Sequence, residues 1–253
     1  MTIKTVNELG NQCLNDFYVY GNSGATRGVF VNNVYNVVAS DAKVITAAGG
    51  PAGGDAYYQA SVTAGGIWTW GIDNSVSDKF VVSSGAALGT TDVMEVYSTG
   101  EINYPLQPAF MAYADTQNNV LGDGTFYKVI FANPVFDQGS NFDGVSTFTA
   151  PVTGIYLMGT TIAIGAAPFL VGNSELDITL VTTGGSFILN TVNPFNCASA
   201  ATFYKSTNSV LVYMVSGDTA YINVFVNGAA KTVSIENITA VNVTCTFWGH
   251  LVA

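Results

Sequence analysis

Alternation with a period of two dominates the C-terminal part of the chain. Ala220, Ile222, Val224 and Val226 share one face of a segment whose other face carries Tyr221, Asn223 and Phe225. In the last segment Val241, Val243, Cys245, Phe247, Gly249 and Leu251 oppose Asn242, Thr244, Thr246, Trp248 and His250. A period of two predicts strands, with the first-named set in each case facing a core. Large aromatics then sit where a lone sandwich meets water, which a second partner surface explains.

The N-terminal part reads as shorter strands cut by frequent turns. Val29-Phe30-Val31 and Tyr57-Tyr58-Gln59-Ala60-Ser61-Val62 are strand candidates by β-branched and aromatic content, with the glycine-rich stretch Gly49 to Gly54 as a loop between them. Turn signals at Asp73-Asn74, Gly85-Ala86 and Thr99-Gly100 recur about every 12 residues. Such a meander suits a small β-sandwich or an intertwined β-prism. Residues 1–20 lack strong alternation and read as an arm that docks into another protein. Pro105 and Pro108 form a stiff extended joint, because proline fixes φ and removes a donor. The expected order is therefore an arm (1–20), a β module (21–104) and a β head (105–253), an all-β chain throughout.

Composition narrows the class. Only 9% of the 253 residues are charged, against about a quarter in an average domain, while 49% are hydrophobic. That balance suits a glycine-punctuated β protein whose subunits cover one another. Mean hydropathy is +0.34, yet Thr, Ser, Asn and Gly interrupt every apolar run, so no membrane insertion is expected. A net charge of −10 with seven scattered Lys and Arg argues against nucleic acid as a partner.

Cys13, Cys197 and Cys245 match no metal or redox spacing. Cys245 lies on the apolar side of its alternation and reads as a small buried hydrophobe, with a Cys197–Cys245 disulfide as the open alternative. The first residues lack the apolar stretch of a secretory leader. Asn237-Ile238-Thr239 and Asn242-Val243-Thr244 therefore read as chance sequons in a Thr-rich strand.

Three separated motifs carry a resemblance in the C-terminal part: Pro108-Ala109-Phe110-Met111-Ala112-Tyr113, the step Asn141-Phe142-Asp143, and the corner Phe148-Thr149-Ala150-Pro151-Val152-Thr153-Gly154-Ile155-Tyr156. Ser209 to Asp218, Ala220 to Val226 and Thr244 to Val252 follow in order. Residues 105–253 thus resemble the C1q/TNF-like jelly-roll family. The resemblance implies a jelly-roll sandwich that assembles as a homotrimer, with Tyr113, Phe131, Tyr213, Tyr221, Phe225 and Trp248 at the trimer interface. Some relatives hold calcium after a mid-domain Cys. Here Phe195 to Thr202 carries no carboxylate, so no metal is expected at that place. No Gly-X-Y repeat stands before the head, which, with the missing leader, places a secreted C1q-like ligand or lectin third among the readings.

In place of a collagen stalk, Gly66 to Asp92 resembles a module of bacteriophage tail fibres and of surface fibres of other large DNA viruses. Trp68-Thr69-Trp70-Gly71-Ile72-Asp73-Asn74-Ser75 matches its strand and turn, Lys79-Phe80 its next strand, and Gly85-Ala86-Ala87-Leu88-Gly89-Thr90-Thr91-Asp92 its second turn. The resemblance implies a spike or tail-fibre protein at the virion surface, on a capsid vertex or tail. Another virion protein would hold the arm, and a host-cell surface molecule would meet the head. The rival is a structural decoration or connector protein whose head only trimerises.

No catalytic residue or cofactor is expected. His250, the one histidine, reads as structural, and no Gly-x-Ser-x-Gly elbow is present. Asp137 and Asp143 read as turn caps rather than a polysaccharide-cleaving pair, and nothing marks Glu175 and Asp177 as a site. The loops 115–125, 133–147, 165–174 and 195–208 are the candidates for receptor contact.

Overall fold

The computed structural model describes residues 43–165, 172–197, 203–228, 230–237 and 244–253. The arm at 1–20, the strand candidate at 29–31 and most of both sequons lie outside the described residues.

Five strands form the first sheet: β1 (Ala56–Ser61), β2 (Ile67–Asp73), β3 (Lys79–Ser83), β4 (Asp92–Val96) and β5 (Ile102–Asn103). They run as an antiparallel meander in sequence order. Residues 43–103 supply this one sheet, so the second layer that a sandwich needs is not among the described residues.

Register gives this sheet two unlike faces. Across the strands Ala56, Ile72, Phe80, Val96 and Ile102 form one row. Tyr58, Trp70, Val82 and Met94 form the next, with Ala60 opposite Trp68 beside it. Every one of these residues is apolar or aromatic, and Trp68, Trp70, Ile72, Phe80 and Ile102 are exposed. The opposite face carries Thr69, Asp73, Lys79, Ser83 and Glu95, all buried. The connection from β3 to β4 lies against them. Thr69 Oγ1 donates to the Gly85 carbonyl at 2.6 Å, Ser83 Oγ to Asp92, and the Gln59 amide to the Ala86 carbonyl at 3.2 Å, while Leu88 is buried.

Lys79 Nζ meets Glu95 Oε1 at 2.5 Å in this buried layer. The Asn103 amide and the Tyr97 hydroxyl donate to Glu95 Oε2 at 3.0 and 3.2 Å. The Lys79 hydrogen bond, aided by Asn103, holds the Glu95 carboxyl below its ordinary range, and the same bond raises Lys79. Gly71 is required by close approach, since a Cβ there falls 2.2 Å from the Ala56 carbonyl oxygen.

The remaining strands form the head. One sheet contains β6 (Ala109–Tyr113), β7 (Gln117–Leu121), β9 (Asn133–Gln138), β11 (Gly154–Gly165), β14 (Phe203–Met214), β16 (Val233–Ile235) and β17 (Thr246–Leu251). Its main run is β9-β6-β17-β11-β14, with β16 and β7 continuing beyond the far end of β11. The other sheet runs β10 (Phe148–Thr149), β15 (Thr219–Val226), β12 (Leu176–Thr182) and β13 (Gly185–Val192), with β8 (Phe126–Lys128) on β15. A four-residue helix, α1 (Pro194–Cys197), follows β13. Strands remote in sequence lie side by side, β6 with β17 and β10 with β15. This is the crossing pattern of a jelly roll.

The two inner faces meet around a cluster of rings. Phe110 stacks on Phe148 at 4.8 Å and on Phe142 at 5.2 Å, and meets Phe247 edge-on at 4.9 Å. Each fully buried side chain of this size stabilises the fold by roughly 1.5–3 kcal/mol relative to exposure. Tyr156 closes the corner after β10. Its ring is buried and meets Phe148 at 5.5 Å, and its hydroxyl donates to the Val152 carbonyl at 2.8 Å. The corner motif is thus a packing device with its one polar atom satisfied.

Candidate functional site

The outward face of the β9-β6-β17-β11-β14 sheet is where the head departs from an ordinary soluble surface. Alternation along β14 turns Val212 and Met214 inward and leaves Leu211 and Tyr213 outside. Tyr213 pairs with Ile155, and Leu211 with Leu157. In the next row Ser209, Gly159, Trp248, Met111 and Phe136 lie side by side. The Trp248 ring rests flat where Gly159 has no side chain; a Cβ there falls 2.2 Å from Trp248 Cζ2. The result is a strip of Tyr213, Leu211, Ile155, Leu157, Trp248, Met111 and Phe136 running across five strands.

The six residues expected at a trimer interface are divided by this geometry. Tyr113, Tyr213 and Trp248 lie on the strip's sheet and face outward, with Tyr213 the most exposed. Tyr221 and Phe225 lie on β15, in the opposite sheet, where side chains of β8 meet them. Lys128 Nζ sits 4.4 Å from the Tyr221 ring centre, and Phe126 packs on Phe225 at 5.2 Å. Beside them stand Val181, Thr179 and Asp177, a mixed surface. Phe131 is a correction: it is fully buried inside its own sandwich, against Phe247 at 5.6 Å, and so cannot reach another chain. Leu211, Ile155, Leu157, Met111 and Phe136 were not among the expected residues. Leu211 stands two residues before Tyr213 and so shares its face, which is the signal for it in the sequence.

The carboxylates of Asp137, Asp143 and Asp177 are held in structural work. Asp137 accepts the backbone N–H groups of Asn141 and Phe142 at 3.0 and 3.1 Å. Asp143 accepts those of Val145, Ser146 and Thr147 at 2.7–2.9 Å. Burial works against the Asp143 charge, and the three N–H groups outweigh it, so its carboxyl lies below the ordinary value. Asp177 takes the Thr191 hydroxyl at 2.6 Å, whereas Glu175 is exposed just before β12. His250 is exposed on β17. No group of three His, Cys, Asp or Glu suited to a metal occurs among the described residues.

Cys245 is a free, buried thiol, which sets aside the disulfide alternative. Its Sγ accepts from the Ala163 N–H at 3.1 Å and lies 3.2 Å from the Glu236 carbonyl. Burial pushes its pKa up to about 11.

A cleft of about 440 Å³ lies where the chain passes from the first sheet into the head. Its walls include Leu106, Pro108, Val152, Leu251 and Val252, with Tyr104, Gln107 and Asn141 as polar members and no Asp, Glu or His side chain. Among the four candidate loops, 115–125 contains β7, 133–147 begins with β9, and 195–208 ends inside β14. Part of 165–174 lies outside the described residues.

No family model and no curated protein matches the chain. Among solved structures, the globular domain of zebrafish complement 1qA protein is similar over 58% of this chain and 98% of its own, at 19% identity and a TM-score of 0.41. Murine APRIL is similar over 58% of this chain and 99% of its own, at 10% identity and a TM-score of 0.39. The jelly-roll expectation for residues 105–253 is met by the strand order and register themselves.

Proposed function

We propose that the chain is a homotrimeric virion surface protein, a spike or tail fibre on a capsid vertex or tail, whose head binds a host-cell surface molecule, glycan or protein. The observation that carries this reading is the outward strip of the head. Tyr213, Leu211, Phe136 and Ile155 are 69%, 58%, 50% and 41% exposed in the single chain, all on the outer face of one sheet. Contiguous apolar surface of this kind marks a contact, and identical copies supply a matching surface. A threefold arrangement follows the family resemblance of residues 105–253. The virion setting follows the fibre-module resemblance of Gly66 to Asp92, and the N-terminal part is the anchor to another virion protein.

Assembly through a sheet face leaves the loops at the ends of the sandwich open for recognition, on a rigid support. Three copies on one particle raise a weak single-site affinity through avidity. The test is competition. Purified protein is expected to block adsorption of the particle that carries it, and labelled protein to decorate the host cell. Protein that trimerises yet never decorates host cells would leave a structural decoration or connector in place of the attachment role.

A further inference from the structure

We propose that the apolar face of the β1–β5 sheet is a second self-association surface, on which three copies of this chain close as the walls of a β-prism. It rests on the head assembling as proposed above. The sheet is built inside out for a lone module, with its ion pair and hydroxyls buried and its tryptophans in water. Trp68, Trp70, Ile72, Phe80 and Ile102 are between 37% and 55% exposed. Together with their half-buried neighbours they present on the order of 400–600 Å² of apolar surface per copy, at the upper end for a monomer.

Two features select copies of this chain as the occupant. The first is charge. The chain carries −10 overall, yet none of the residues in the two apolar rows is ionisable apart from the phenol of Tyr58. Asp73, Lys79 and Glu95 all point to the other side. Acidic copies therefore meet with least repulsion on this face.

The second is tethering. Only Tyr104 to Pro108 separate β5 from β6, a span of at most about 18 Å. A face of this area falls short of the roughly 800 Å² per partner of a stable interface. Once three heads are joined, however, short linkers hold the three sheets at millimolar effective concentration. The one sheet that residues 43–103 form, open on its apolar side among the described residues, is the component from which a three-walled prism is made.

The experiment uses the full chain with Cys13→Ser and Cys197→Ser, leaving Cys245 buried with a thiol pKa of about 11 and so unreactive. Val82→Cys and Ile72→Cys place a thiol on the apolar face; Gln59→Cys places one on the opposite face. A short bis-maleimide is added and the products are separated on a denaturing gel, with the native mass read by light scattering. Covalent dimers, about two chains in three, are expected from Val82→Cys and Ile72→Cys and none from Gln59→Cys. A trimer whose Val82→Cys thiol labels freely without linking would overturn the inference and leave the head's assembly standing. So would a thiol that is shielded until residues 1–42 are removed, since the chain's own N-terminal segment would then be the cover. A native mass of one chain would remove both readings.

Discussion

The two halves of this chain solve the burial problem in opposite ways. The head is apolar within: Phe110, Phe142, Phe148 and Phe247 form a ring cluster, and an apolar strip crosses the outer face of one sheet, with Phe126, Phe187 and Ile188 exposed on the other. The β1–β5 sheet is polar within, around Lys79 and Glu95, and apolar without. A head of that kind holds its fold alone and uses its strip for assembly. The sheet gains its hydrophobic stabilisation only when something covers it, so its stability is tied to assembly.

The sharpest way to break the contrast is at the head's core. Phe110→Ala removes a ring packed against three others and is expected to cost about 4 kcal/mol, as large-to-small core changes do. Chemical unfolding followed by far-ultraviolet dichroism measures it. A loss under about 1 kcal/mol, the scale of surface changes, would mean that the cluster is not the core of the head.

The matching test in the first sheet is electrostatic. Lys79→Met leaves Glu95 buried without its cation and is expected to cost about 3 kcal/mol, whereas Lys79→Met with Glu95→Leu is expected to regain most of that loss. Emission from Trp68 and Trp70, read in a Trp248→Phe background, follows the unfolding of this sheet. Equal destabilisation by the single and double changes would show that the pair is not acting as a unit.

A smaller effect sharpens the same point through pH. Glu95 has a depressed folded pKa, so its contribution is complete above its ordinary value of 4.5 and is lost as pH falls through the lower folded value. Lys79 is raised, so its contribution is complete below 10.5 and is lost as pH climbs through the higher folded value. The same tryptophan signal is expected to show the first sheet losing stability at both extremes, with a plateau between. A plateau unchanged in Glu95→Gln would contradict the assignment.

Much of this was legible in the chain because strand alternation is local. Ala220, Ile222, Val224 and Val226 are all buried, and Phe247 and Gly249 face inward, as the period of two requires. The turns at 73–74, 85–86 and 99–100 separate β2 from β3, β3 from β4, and β4 from β5. Alternation says which side a residue takes and not what covers that side. Alternation alone therefore groups Tyr221 and Phe225 with Trp248, although they lie on the other sheet, where Lys128 and Phe126 of β8 meet their rings. Phe131 lies between β8 and β9, where Val129 and Phe131 are buried and Ile130 and Ala132 exposed, so its alternation places it on the core side and not at an interface. Thr244 and Thr246 are polar in the alternation yet buried, Thr244 because its hydroxyl finds the Glu236 carbonyl. The inverted faces of β1–β5 follow from the pairing register, which no single strand reveals.

The central claim is that identical chains meet through the outward strip of the head, and its most direct test is solution mass by light scattering at low micromolar concentration. The expected result is three times the 26.5 kDa chain for the native protein and for Tyr221→Asp, and a single-chain mass for Leu211→Asp with Tyr213→Asp. A native monomer, or a trimer lost in Tyr221→Asp and kept in the double variant, would contradict it.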